Sequence, residues 1–459
     1  MKWWKESRRL RLHWFALALI GWSPCLAASF TIQQAVDQSV EKYPALRVSL
    51  EQISAAAAGV KLARTAFLPK ADFLSQVNRA THNNVFGMMM PQSVIPPISG
   101  PVLNNSFSNV WGTAVGVLVQ WEPFDFGLRK ANVESADVAR RRAELSANRT
   151  KLEVATAAAD AFLTILAAEQ TVVSAKATVT RGQSLINVVG ALVKAELRPG
   201  ADAERTRAET ALAETQVIQA EQAVAMAKAA LAQLLNVAPS EITAEAGKFL
   251  ALPAVAELDG KVENHPAALE QKGAIDEVKA REAALDKMWY PKFLLQGSTY
   301  GRGTGAFPNG TTGGAASGLG PNIGNWGLGF TMTFPLAELP SIRARQEIEV
   351  HKERSEAARY DQIVRDLNGR LERAKAMLEG AQRAAKQAPI QLEAARAVEQ
   401  QATARYKAGL ASIVEVAEAQ RLLSQAEVDN SLAHLSVWRA LLAIAAAKGD
   451  VNEFLERAR

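Results

Sequence analysis

Residue types able to do chemistry are sparse in this chain of 459 residues. The histidines, His13, His82, His265, His351 and His434, show no metal-ligand spacing. Met88-Met89-Met90 offers thioether sulfur, which suits Cu(I), but reads more simply as an apolar turn in a loop. Gly301-Arg302-Gly303 has no Lys-Ser/Thr after it and is no phosphate cradle. Cys25 is the single cysteine, so the chain forms no internal disulfide and no cysteine metal site. Without a nucleophile–base or metal constellation, neither an enzyme nor a cofactor is expected. What remains is electrostatic: Glu415 and Glu418, at i and i+3, set two carboxylates on one helix face.

The elements that position these residues begin with a leader, residues 1–28. Lys2, Lys5, Arg8, Arg9 and Arg11 precede a short apolar core from Trp14 to Trp22, and Cys25-Leu26-Ala27-Ala28 supplies small residues for cleavage. Cys25 is expected to leave with the leader. Lipidation is the alternative, against which Trp22-Ser23-Pro24 is a poor lead-in. No stretch approaches the roughly 20 apolar residues of a transmembrane helix. The leader carries five Lys/Arg and Glu6, so its removal takes the formal charge from +5 to about +1. A nucleic-acid partner thereby loses the persistent basic surface that it needs.

The chain is written twice. Val40-Glu41-Lys42-Tyr43-Pro44-Ala45-Leu46 resembles Val262-Glu263-Asn264-His265-Pro266-Ala267-Ala268-Leu269, and Phe67-Leu68-Pro69-Lys70 resembles Trp289-Tyr290-Pro291-Lys292. Both proline pairs (266 − 44 and 291 − 69) are 222 positions apart. A first repeat is expected over 29–237, a linker over 238–256 and a second repeat over 257–459.

Each repeat predicts a helix ending before Pro69 or Pro291, then a β-hairpin at about 70–122 or 292–335. Trp111, Thr113, Val115, Val117, Val119 and Trp121 alternate with Gly112, Ala114, Gly116, Leu118 and Gln120. Trp326, Leu328, Phe330, Met332 and Phe334 alternate with small and polar residues in the second repeat. One apolar face and one small or polar face suit a barrel strand between lipid and a watery lumen. A half-buried strand of a soluble sandwich alternates in the same way. The first strands, Ala71 to Asn78 and Lys292 to Tyr300, alternate only loosely.

Helical hairpins follow at about 128–237 and 341–449. Their long arms, Leu128 to Glu196 and Ser341 to Ala408, are rich in Ala, Glu, Arg, Gln and Lys and contain no proline except Pro389. At about 1.5 Å per residue each reaches on the order of 100 Å, more than a globular domain needs. They read as coiled-coil walls, with Pro389 kinking the second. Breaks fall at Leu197-Arg198-Pro199-Gly200 and Gly409-Leu410, and new helices are expected to start at Asp202 and Ser412.

Four strands cannot close a barrel, and an open sheet would leave bare backbone in lipid. The chain must therefore assemble with itself, into eight strands from two copies or twelve from three. With Trp121-Glu122-Pro123-Phe124-Asp125-Phe126-Gly127 and Tyr406-Lys407-Ala408-Gly409-Leu410 added to the duplicated motifs, the mature chain resembles the TolC family of outer-membrane efflux proteins. That resemblance implies a mostly α protomer with a transmembrane β part. Three protomers would share a 12-stranded β-barrel in the outer membrane and an α-helical tunnel in the periplasm. It also implies a periplasmic adaptor (membrane fusion) protein and an inner-membrane transporter of RND or ABC type as partners.

By the same resemblance, Glu415, Glu418, Asp202 and Tyr406 line the periplasmic aperture, six of the glutamates forming a cation-selecting ring. Leu197, Gly200, Gly409 and Leu410 are the hairpin tips that meet the adaptor. Trp111, Trp121, Trp326 and Phe334 are membrane-interface aromatics. Glu196 stands where the second repeat has Gly409, so the first bend is expected at Pro199-Gly200. Ala411 stands where a basic partner for Tyr406 is expected, which leaves a closed-state latch without its cation. The competing reading is a soluble periplasmic coiled-coil structural protein. Drug, metal and protein cargo stay undivided.

Overall fold

The computed structural model describes residues 28–81, 109–253, 261–307 and 311–459. The leader with Cys25, the Met88-Met89-Met90 stretch and part of the linker lie outside them.

The first repeat runs from α2 (Pro44–Thr65) through β2 (Lys70–Thr81), β3 (Asn109–Trp121) and α3 (Leu128–Lys194) to α4 (Gly200–Leu235). The second repeats that order as α5 (Pro266–Leu285), β5 (Lys292–Thr304), β6 (Ile323–Thr333), α6 (Leu339–Lys407) and α7 (Ile413–Lys448). Both α2 and α5 start at their proline, where a missing N–H costs nothing. The remaining strands and α-helices among the described residues are β1 (Ala28–Phe30), α1 (Ile32–Lys42), β4 (Ile242–Ala244) and α8 (Asn452–Ala458).

The long helices α3 and α6 hold 67 and 69 residues. α3 packs beside α2, α4, α5 and α7, and α6 lies against α5 and α7. Two shorter helices stacked end to end thus flank each long one. Pro389 removes one backbone bond, and α6 nevertheless continues to Lys407. Among the described residues no helix is long and apolar enough to cross a membrane.

Where the shorter helices meet, an equatorial core interrupts the thin walls. Phe162 on α3 lies 6.0 Å from Phe249, which sits 5.0 Å from Trp438 on α7, itself 6.1 Å from Phe454 on α8. The Trp438 indole donates to the carbonyl of Ala251 at 3.1 Å. β1 pairs in parallel with β4 beside this core. Elsewhere alanine is the commonest buried residue of α4 and α6, because thin helical walls need close approach rather than bulk.

The sheet is antiparallel in the order β2-β3-β5-β6. Its first strands run to Thr81 and Thr304, farther than loose alternation predicts. Register rows such as Phe73↔Val117↔Thr299↔Trp326 and Ala71↔Val119↔Gly297↔Leu328 belong to one face. That face is open: Phe73, Trp326, Leu328, Phe330 and Met332 are each more than 60% exposed. The opposite face carries Asp72, Gln76, Gln120, Gln296, Ser298 and Asn325. Phe126, just before α3, stacks on Tyr290, just before β5, at 4.9 Å and lies 6.1 Å from Phe293 of β5, while Phe293 stacks on Phe330 of β6 at 5.8 Å.

Two devices fix how helices leave the sheet and the equator. At the start of α3, Asp125 accepts from Gly127 N (3.2 Å), Arg129 N (2.6 Å) and Arg129 Nε (2.9 Å). The Arg129 guanidinium lies 4.9 Å over Phe67 and donates to Ala66 O, binding α3 to the end of α2. At the start of α5, His265 Nδ1 accepts from Ala267 N at 3.0 Å, and Nε2 donates to Ala446 O at 3.2 Å. Burial lowers the His265 pKa, so the imidazole is neutral. Gly449, at φ 90°, ends α7 where a Cβ would come within 2.9 Å of His265 Cα. Replacing His265 with Ala removes both bonds and should cost about 1 kcal/mol of local stability, whereas Asn restores the cap alone. Hydrogen exchange at the first turn of α5 reads the difference.

Candidate functional site: hairpin tips and sheet

Both hairpins turn by one backbone device. Leu192 O accepts from Leu197 N at 2.9 Å, and Arg405 O accepts from Leu410 N at 2.8 Å. The residue before each leucine is left-handed: Glu196 at φ 55° and Gly409 at φ 81°. The first bend therefore lies at Glu196, not at Pro199-Gly200. Pro199 is the extended N-cap of α4 and Gly200 its first residue. Sequence reasoning missed this because a left-handed glutamate breaks the glycine rule for helix ends. Leu197 and Leu410 project at 69% and 71% exposure.

Ser412 caps α7 as its type suggests, in a reciprocal box with Glu415. Asp202 does not cap α4. It lies inside the first turn, and its carboxylate accepts from the Tyr406 hydroxyl at 2.9 Å. The Tyr406 ring is wholly buried among Leu185, Val189, Ile413 and Val416. Burial, reinforced by the bond to Asp202, pushes its pKa up to about 12.

The expected lack of a basic partner for Tyr406 is overturned. Arg198, from the other tip, lies 4.3 Å over the ring and donates to Tyr406 O (2.6 Å) and Ala411 O (3.1 Å). Ala411 supplies a carbonyl where a cation was looked for. Arg198 stands 208 positions from Tyr406, and only the fold reveals the pair. The two tips of one protomer are thus latched by three hydrogen bonds and a cation–π contact.

Glu415 and Glu418 share the exposed start of α7, both with lowered pKa values. Glu415 accepts from Ser412 N and lies 3.9 Å from Arg405. Glu418 accepts two bonds from Arg421, at 3.1 and 2.6 Å. The carboxylates are brought together, but each faces a cation that spacing alone did not single out. On the sheet, Trp111 is half-buried with Arg79 stacked 5.1 Å from it. Trp121 donates to Phe67 O at 3.1 Å, Trp326 is 82% exposed and Phe334 39%.

Two outcomes follow for the tip. Glu196→Gly relieves a left-handed side chain and should stabilise the turn by about 0.5–1 kcal/mol, read as slower hydrogen exchange at residues 193–198. Because the folded Tyr406 pKa lies above its ordinary value of 10.0, the latch is at full strength below about pH 10 and lost as pH rises toward 12. Ultraviolet titration of the phenolate alongside tip exchange checks this.

The chain's sequence matches the outer membrane efflux protein family over residues 35–237 and 262–450. No curated protein sequence matches it. Among solved structures, the outer-membrane channel OprN superposes with a TM-score of 0.73 at 21% identity, covering 91% of this chain and 89% of that one. CusC gives 0.75 at 14% identity over 91% and 92%. The CmeC outer membrane channel of Campylobacter jejuni gives 0.71 at 13% identity over 99% and 98%. The shared fold is that of a protomer of a trimeric barrel with a helical tunnel, set in the outer membrane and reaching into the periplasm. The chain is no enzyme: it belongs to the outer membrane efflux protein family.

Proposed function

We propose that three copies of this chain form a passive conduit from a periplasmic entrance to the exterior, fed by an inner-membrane transporter of RND or ABC type. The observation that carries this reading is the four-stranded sheet with one exposed apolar face, one polar face and two edges unpaired among the described residues. Such a sheet fits only lipid outside, water inside and further strands on both sides. It speaks against a soluble periplasmic coiled-coil protein, which would have no use for that apolar face. Energy comes from the transporter.

In this reading Trp111, Trp121, Trp326 and Phe334 sit at the membrane interfaces. The exposed Leu197 and Leu410, with Gly200 and Gly409 beside them, meet a periplasmic adaptor. Glu415, Glu418, Asp202 and Tyr406 border the aperture, which the Asp202–Tyr406–Arg198 contacts hold shut. Release of the tips opens the tunnel without disturbing the barrel.

Purified protein should run as a heat-modifiable trimer from the outer membrane and conduct in planar bilayers. Tyr406→Phe, which removes one latch bond per protomer worth about 1 kcal/mol, should raise the released fraction of each tip about fivefold and so the open fraction of the trimer at least that much. Recovery of a stable monomer from soluble periplasm, conducting nothing, would sink the reading.

A further inference from the structure

We propose that the conduit selects for anions, through a ring of lysines at the base of its barrel. The inference deepens the conduit reading and rests on it.

The polar face of the sheet is almost without acid. The register puts Lys70, Asp72, Lys292 and Arg302 on the face opposite Phe73 and Trp326, with no other charged residue on that face. The apolar face bears only Arg79, at its loop end over Trp111. From residue 80 to 121, and from 303 to 337, the sequence has no Asp, Glu, Lys or Arg. Neither external loop therefore offers a carboxylate to balance the wall. None of Lys70, Lys292 and Arg302 takes part in an ion pair among the described residues. The Arg302 Nε is buried there without a hydrogen-bond partner.

Lys70 and Lys292 are each the first residue of the first strand of their hairpins. The internal repeat sets them at equivalent points, so three copies place six ammonium groups around one level of the lumen, against three Asp72 carboxylates two residues along the same face. Lipid behind the wall focuses their field into the water, and a Debye length of about 8 Å lets them act across much of a narrow pore. Cations are depleted there and anions concentrated.

The tip does not reverse this bias. Glu418 is matched by Arg421, and Glu415 faces Arg405. Across 194–209 and 405–421, seven cationic side chains stand against six anionic ones. The glutamates alone suggest a cation filter; with Arg405 and Arg421 counted, the entrance is balanced and the barrel base decides.

The test is the reversal potential of the trimer in a potassium chloride gradient across a planar bilayer. Wild type should pass chloride over potassium. The Lys70→Gln/Lys292→Gln double variant should lower that permeability ratio about twofold or more, and Lys70→Glu/Lys292→Glu should invert it. Should a variant fail to assemble, wild type carries the test through block: pyrophosphate should reduce its current and spermine should not. A cation-selective wild type, block by spermine alone, or a ratio untouched by the glutamate pair overturns anion selection while leaving the conduit standing. A trimer that conducts no ion overturns the conduit itself.

Discussion

The backbone of β2 and β6 sets the terms for the rest of the molecule. Each is the end strand of its sheet and presents a row of N–H and C=O groups with no strand partner among the described residues. In hydrocarbon each such group costs several kcal/mol, and strands of 12 and 11 residues carry many of them. No rearrangement of side chains offsets that sum. The edges of one copy must meet those of the next, and β6 to β2 pairing between copies continues the antiparallel ladder without a break. Three copies then close twelve strands.

Closure of the sheet dictates the form of the helices. Every strand leads directly into or out of a helical column, so twelve strands impose twelve columns below them, and a wall one helix thick has little interior. That explains why alanine fills the seams while bulky side chains collect at the equator, around Phe162, Phe249 and Trp438. Only there do α1, α8 and the β1–β4 pair add a second layer. The junction between sheet and column is the other point of strain. Phe126 is left-handed at φ 52°, and the Asp125–Arg129 pair pins the chain through that bend.

Much of this was legible in the residues because it is periodic or local. Alternation gave the strands β3 and β6, prolines gave the ends of α2 and α5, and Ser412 gave the start of α7. The first strands were read too short because their polar and apolar residues alternate weakly toward the loops. The tip was misread for a different reason. Glu196 takes a conformation its type disfavours, held by Leu197 N to Leu192 O. Arg198 reaches a carbonyl and a ring in the other repeat. Neither periodicity nor spacing encodes contacts between side chains 208 positions apart. Arg421 was legible as a residue, yet its bearing on Glu418 becomes plain only when the two bonds are drawn.

The two ends of the tube differ in how firmly they are held, and in the proposed conduit that difference would let a static barrel serve as a gated channel. Ladder bonds in lipid have no water to exchange with, so the barrel end has one state. The tip stands in water and is fastened per protomer by three hydrogen bonds and a ring contact, each worth about 1 kcal/mol net. A partner that binds the released tip more tightly than the latched one needs only a few kcal/mol of differential affinity to shift the population. The exposed leucines 197 and 410 offer apolar area of that order, on the same turns that the latch restrains. In the proposed conduit, contact with a partner and release of the latch would therefore act on one segment of backbone, and opening would need no signal carried along the length of the helices.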